Sequence, residues 1–247
     1  MPSLVIIPTY NERENIASIV RAVLEQSEDF HVLVVDDCSP DGTAQVVEGL
    51  QEEHPRRVHL LRRSGKLGLG TAYIAGFRWG LERNYQYFFE MDADFSHNPA
   101  DLQRLLSACR DGADVAIGSR YVRHGGLQDW PWDRILLSRG ASLYTRLILW
   151  MPVADPTAGF ICYRRRVLEA IDLNKIHFVG YAFQIAMKYA AYSLGFVLHE
   201  VPIIFKDREK GQSKMSLRIV REAMLGVWQM RWRDSVSYTH LTLPTKA

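Results

Sequence analysis

Short, largely apolar runs at residues 4–7, 32–35, 58–61 and 87–91 alternate with segments whose apolar residues recur at helical spacing, and this alternation narrows the fold more than any other feature. Ile16, Ile19, Val20, Val23 and Leu24 mark one helical stripe within 15–25; a second helix is expected to begin near Thr43 and a third to cover 71–83. Strands of this length, apolar on both faces and joined through helices, predict an α/β chain: a mostly parallel sheet with helices on both faces. In such open sheets ligands gather beyond the carboxyl ends of the strands.

Polar clusters fall at those expected ends. They are Thr9 to Glu12, Asp36-Asp37, and Asp92-Ala93-Asp94. Strand side chains alternate, so carboxylates separated by one residue leave a strand end on the same side and can converge on one cation. A cation so held could bind a diphosphate. The bare repulsion between a carboxylate and a phosphate at ~4 Å is roughly 1 kcal/mol in water and about 4 at an effective dielectric near 20, and a metal between them reverses its sign. The triplet equally suits a turn or helix cap ahead of Pro99, and Asp36 or Asp37 could cap the helix after Gly42.

Other classes are disfavoured. Thirty basic residues against 28 acidic ones give a formal charge of +2, too little for a general grip on nucleic acid. Cys38, Cys109 and Cys162 are odd in number and lack metal-ligand spacing, so they read as reduced thiols. The chain passes from Pro2 straight into its first apolar run without the layout of a signal peptide, and the stretch 135–151 carries Arg139 and Arg146, so neither secretion nor a membrane span is expected. Gly65, Gly68 and Gly70 lie between a strand and a helix but lack the G-x-G-x-x-G order of a dinucleotide site. They read as a tight turn or a loop that lets backbone approach a ligand.

Taken in order, several motifs resemble those of family-two glycosyltransferases, and among them the dolichol-phosphate mannosyltransferases and their bacterial polyprenol-phosphate mannose synthase relatives. They are Pro8-Thr9-Tyr10-Asn11-Glu12, Val34-Val35-Asp36-Asp37 with Ser39-Pro40-Asp41-Gly42-Thr43, Gly65 to Tyr73, Met91 to His97, Gly118-Ser119-Arg120-Tyr121, Asp155 to Phe160, and Arg208 with Gly211 to Lys214. The resemblance covers about residues 4–232 and implies one GT-A type domain over 1–235. Residues 236–247, with little periodicity and a late Pro244, read instead from their own composition as a disordered or non-native tail. Gln229-Met230-Arg231-Trp232 has one intervening residue too few for the Gln-x-x-Arg-Trp signature of processive polysaccharide synthases.

The resemblance implies that Pro8, Tyr10 and Glu12 surround a base and ribose, with Val35 and Asp37 completing that pocket. Asp92, Ala93 and Asp94 would line the donor diphosphate. Asp94 would be the foremost metal ligand, with Asp92 and Ser96 beside it; hard oxygen donors favour Mg²⁺ or Mn²⁺ over zinc. Arg120, Arg208 and Lys214 would add positive charge around the departing diphosphate or the acceptor phosphate, and the polar 208–214 segment reads as a mobile loop over the donor. Asp155 matches an aspartate near the acceptor end; sugar binding, acceptor orientation and a structural turn before Pro156 all stay open. The implied reaction is inverting transfer of mannose from GDP-mannose to a polyprenyl monophosphate at the cytoplasmic face of a membrane. A transferase using UDP-glucose, or a sugar-nucleotide-binding protein without turnover, fits the same motifs.

A lipid acceptor requires a way to meet the membrane. Trp130, Trp132, Leu136, Leu143, Leu147 and Trp150, with Arg134, Arg139 and Arg146, are expected to form an interfacial helix, and an ordinary core helix is the alternative. A second candidate runs over 217–233 through Leu217, Val220, Met224, Val227 and Trp228. Family analogy adds a small membrane-anchoring subunit as a partner.

Overall fold

The computed structural model describes residues 2–178, 180, 182–207 and 224–232. The expected alternation is present as β1 (Ser3–Thr9), α1 (Arg13–Gln26), β2 (Phe30–Asp36), α2 (Thr43–Glu53), β3 (Val58–Arg62), α3 (Leu69–Leu81) and β4 (Tyr87–Glu90). There follow α4 (Asp101–Arg110), β5 (Val115–Ser119), β6 (Gly126–Gln128), α5 (Trp132–Leu149), β7 (Ile161–Arg164), α6 (Arg165–Ala170), α7 (Ala182–Ser193), β8 (Leu198–Pro202) and β9 (Ile204–Lys206). A further helical segment covers 224–232.

Seven strands form the main sheet in the order β3-β2-β1-β4-β7-β5-β8. β1 lies between β2 and β4 with all three parallel, whereas β7 runs antiparallel to both β4 and β5. β6 and β9 form a separate parallel pair. Alternation along each strand sorts the core into two layers, as a two-period side-chain pattern requires. Val5, Ile7, Val32, Val34 and Phe89 pack against α1, α2 and α4; Leu4, Ile6, Leu33, Val35 and Phe88 pack against α3 and α7.

Helix α3 lies unusually close to the sheet. A Cβ at Gly76 would come within 2.6 Å of Ile6 Cγ2, so glycine permits that approach. Gly68, the residue capping α3, has φ of 100°, a backbone state that a side chain strains. Gly68 thus serves a turn, and Gly76 a close helix–sheet contact.

Candidate active site

The carboxyl ends of β1, β2 and β4 lie side by side because these strands are adjacent and parallel. Each is followed by a non-glycine residue in the left-handed region: Asn11 at φ 59°, Cys38 at 57° and Phe95 at 59°. Such conformations cost of order 1–3 kcal/mol each where the side chain is not adapted to them, and they cluster where loops are shaped for function.

At the end of β2 the two aspartates divide their tasks. Asp36 accepts hydrogen bonds from Thr9 Oγ1 (2.8 Å), Ser39 N (2.9 Å) and Ser39 Oγ (2.6 Å), bracing the β1 and β2 loops together. The capping role belongs to neither; Asp41 accepts from Thr43 N at 3.0 Å and from Arg13 N at 3.1 Å. Asp37 lies 3.2 Å from Arg63 Nη1 as an ion pair, and its other oxygen accepts from Leu67 N at 3.2 Å. Burial lifts the Asp37 carboxyl above the usual range even though Arg63 opposes it. Lys66 Nζ sits 4.3 Å from the centroid of the Tyr10 ring. Pro8, Tyr10 and Glu12 line the same rim with partial exposure, Asn15 Nδ2 donating to Glu12 Oε2 at 3.1 Å. The Val35 side chain lies in the core, so only its backbone reaches this pocket.

At the end of β4, Asp94 is nearly buried and its Oδ1 accepts from Ser96 N (3.1 Å) and Ser96 Oγ (2.6 Å). Ser96 therefore orients Asp94. Asp92 is partly exposed, and its backbone N donates to His97 Nδ1 at 3.4 Å. His97 is buried between the rings of Phe160, stacked at 4.9 Å, and Phe205, edge-on at 5.2 Å. Burial holds its imidazole well below the usual histidine range, in the neutral form whose Nδ1 can accept. Ala93, between the two in sequence, is buried in the core layer of Val5, Ile7 and Phe89.

Among the described residues no group of three or more His, Cys, Asp or Glu side chains could hold a metal ion alone. Two carboxylates one residue apart, with a hydroxyl nearby, fit Mg²⁺ or Mn²⁺, which keep water and ligand oxygens in their shell; they do not fit a closed zinc site.

Arg120 and Asp155 form a buried bidentate pair: Nε donates to Oδ2 and Nη2 to Oδ1, both at 2.7 Å. The Arg120 backbone N also donates to Asp155 Oδ2 (3.1 Å), and Nη2 to Thr157 Oγ1 (2.8 Å). Burial works to raise the Asp155 carboxyl, and Arg120 overrides it and holds the pKa below the usual value. Arg120 is thus engaged with Asp155, and the Asp155 backbone N donates to Glu200 Oε1 at 3.0 Å. Arg208 and Lys214 lie outside the described residues, as do Leu217, Val220 and the tail 236–247.

Trp130 and Arg134 are absent from the expected outward surface. Arg134 packs on the Trp130 ring at 3.6 Å and pairs with Asp207 at 3.0 Å, while Trp130 meets Phe205 edge-on. Trp132, Leu136, Leu143, Leu147 and Trp150 are exposed, and the buried side of α5 consists of Ser142, Thr145 and Leu149. Sequence reasoning gave no role to Arg63, Glu200, Glu90 or Lys188, and placed Lys66 and Thr157 only within motifs, without a role of their own. Glu90 carried a signal: it is a charge inside an otherwise apolar run, two residues before Asp92 and so on its side of the strand.

Residues 4–172 match the family described as Glycosyl transferase family 2. The chain is 52% identical over 233 residues to polyprenol monophosphomannose synthase of Mycolicibacterium smegmatis, covering 94% of this chain and 88% of that one. It is 49% identical over 232 residues to undecaprenyl-phosphate mannosyltransferase of Micrococcus luteus, covering 94% of each. With dolichol-phosphate mannosyltransferase of Pyrococcus furiosus the identity is 35%, over 94% of this chain and 64% of the relative. Glucosyl-3-phosphoglycerate synthase from Mycobacterium tuberculosis, crystallised with Mn²⁺, UDP and glucosyl-3-phosphoglycerate, superposes with a TM-score of 0.68 at 16% identity, covering 94% of this chain and 80% of that one, and shares the fold.

Proposed function

The chain belongs to glycosyl transferase family 2, and on that premise we propose that it transfers mannose from GDP-mannose to a polyprenyl monophosphate, with inversion. The observation that carries this reading is the Asp92-x-Asp94 pair at the carboxyl end of a central strand, in a chain about half identical to two polyprenyl-phosphate mannosyl transferases across nearly its whole length. Asp92 and Asp94 would hold Mg²⁺ or Mn²⁺, whose charge would supply electrostatic stabilisation of the diphosphate. Tyr10, Glu12 and Asp37 border the nucleoside, and Lys66 extends positive charge over Tyr10.

A phosphate oxygen of the lipid attacks the anomeric carbon from the face opposite the diphosphate; the new C–O bond forms as the bond to the diphosphate oxygen breaks, releasing GDP. A phosphate monoester has a second pKa of about 6, so the nucleophile is largely ionised at neutral pH and needs no general base. The chain's work is alignment and charge stabilisation. The Arg120–Asp155 pair contributes a fixed guanidinium.

No helix among the described residues is long and apolar enough to cross a membrane. The Trp132, Leu136, Leu143 and Leu147 face of α5, which carries Arg139 and Arg146, supports peripheral binding to the cytoplasmic leaflet. Tyr121, next to Arg120, donates its hydroxyl proton to Ser138 Oγ on α5 at 2.6 Å, tying that face to the site. The test is incubation of purified protein with labelled GDP-mannose or UDP-glucose and polyprenyl phosphate, with and without Mn²⁺. Metal-dependent labelled lipid from GDP-mannose is expected; product from UDP-glucose alone corrects the donor, and no product from either sinks the reading. Binding to vesicles without any second protein is expected, and its absence favours an anchoring subunit.

A further inference from the structure

Behind the acidic pair lies a charge that the reaction as described does not use. Lys188, on α7, is fully buried, and its Nζ donates to the Ala158 carbonyl at 2.6 Å and to the Gln184 carbonyl at 3.0 Å. Ala158 belongs to the loop that carries Asp155 and Thr157, the residues that grip Arg120. On its other side Lys188 feels the charge of Glu90, the last residue of β4, also fully buried. Glu90 is clamped in register between Ile6 of β1 and Ile161 of β7. Its strand leads directly into Asp92.

Lysine and glutamate are almost never fully buried unless paired, and a purely structural core would do as well or better with apolar residues here. Neither Glu90 oxygen has a hydrogen-bond partner among the described residues; Tyr163 and Gln184 lie near enough to favour its charge, without good hydrogen-bond geometry. Burial pushes the Glu90 carboxyl up to about 8 and the Lys188 amine down to about 8, and each is partly held back by the other's charge. Lys188 is also within electrostatic reach of Asp155, Arg120 and Glu200. One ammonium thus holds the Arg120-holding loop by its hydrogen bond to Ala158 and acts on the end of β4 through the charge of Glu90.

We infer that Lys188 is a positioning residue for the transfer, fixing the Asp155–Thr157 loop, and with it Arg120, relative to the Asp92-x-Asp94 end of β4. This rests on the reaction proposed above, and its test includes a measurement that needs no substrate. Lys188→Met removes both the donor to Ala158 and the charge facing Glu90. It is expected to lower kcat at least roughly tenfold, with the KM for GDP-mannose changed less than about threefold, as a misplaced group acts on the transition state. Phenylglyoxal modification of Arg120, followed by peptide mass mapping, is expected to speed up by at least about fivefold as the loop opens locally. Arg165 is the internal reference, since it is held elsewhere by the carbonyls of Leu81, Arg83 and Tyr85.

Because methionine leaves Glu90 buried without its counter-charge, Glu90→Gln/Lys188→Met is made in parallel. It removes both charges, so it is expected to regain thermal stability while keeping the low kcat and the fast Arg120 reaction. Recovery of kcat and of slow Arg120 modification in the double variant would show that the pair serves folding alone and overturn the inference. Wild-type protein that makes no product would instead sink the reaction, while the Arg120 reactivity still decides the positioning claim.

Discussion

Helix α7 buries Lys188 and Gln184 among apolar neighbours, whereas α5 leaves Trp132, Leu136, Leu143 and Leu147 in water. Folding stability alone would arrange both helices the other way, since burying charge is costly and burying a leucine gains about 1.5–3 kcal/mol. The two departures face different tasks. In α7 the charge is turned inward, to a carbonyl of the loop that holds Arg120 and toward Glu90 at the end of the strand that leads into Asp92. In α5 the apolar residues are turned outward, interspersed with Arg139 and Arg146, as suits an anionic lipid surface. On the proposed function the inner region would govern chemistry and the outer one delivery of the acceptor, so variants in the two should fail in different assays.

The largest separation is expected from Asp94→Asn. Loss of one of the two carboxylates proposed to hold the metal should lower transfer by at least roughly 10³-fold whatever the acceptor's solubility, while the melting curve stays close to wild type. Unchanged transfer would remove Asp94 from the centre.

Next is Asp155→Asn, which leaves the Arg120 guanidinium buried without its charge partner. Breaking a buried pair in this way costs about 3–5 kcal/mol, measurable by denaturant unfolding. A loss below about 1 kcal/mol would mean that the pair behaves like a surface one.

On the outer side, Leu143→Glu/Leu147→Glu should leave stability within about 0.5 kcal/mol of wild type, because both side chains are already exposed. Binding to anionic vesicles should weaken by at least roughly 10²-fold, from lost apolar burial and added repulsion. Equal binding would return α5 to an ordinary exposed helix.

The smallest effect lies at the opposite end of the sheet, where Tyr85 Oη sits 2.9 Å from His31 Nδ1 and 3.4 Å from His59 Nε2. Burial, with help from Arg57 at His31 and from His31 and Arg83 at His59, holds both imidazoles below 6.5. The unfolded chain therefore binds more protons below 6.5, and the stability these histidines contribute, complete above that pH, is lost as pH falls through the folded values. Urea midpoints should drop on acidification, and His31→Gln/His59→Gln should flatten the drop.

The alternation from Ser3 to Glu90 was legible because each strand is a compact apolar run and each helix carries its stripe at 3.6 spacing. The insertion of antiparallel β7 between β4 and β5 was not, since that order is decided by partners 70 or so residues apart and leaves no local pattern. The acidic strand ends stood out by residue type. Arg63 and Lys66 did not, because they sit in a glycine-rich loop whose role only the fold brings out, beside Asp37 and Tyr10. Trp130 and Arg134 look like their exposed neighbours in sequence, yet Phe205 and Asp207, far along the chain, draw them inward. Lys188 lies in a segment that reads as apolar helix, and nothing local pairs it with Glu90.

The most direct test compares transfer of labelled mannose from GDP-mannose to a short, soluble prenyl phosphate and to a long polyprenyl phosphate in anionic vesicles. The account predicts that Leu143→Glu/Leu147→Glu keeps the soluble rate within about threefold of wild type but loses at least roughly tenfold on vesicles, whereas Asp94→Asn loses both. Equal losses of the α5 variant in the two assays, or none in either, would contradict it.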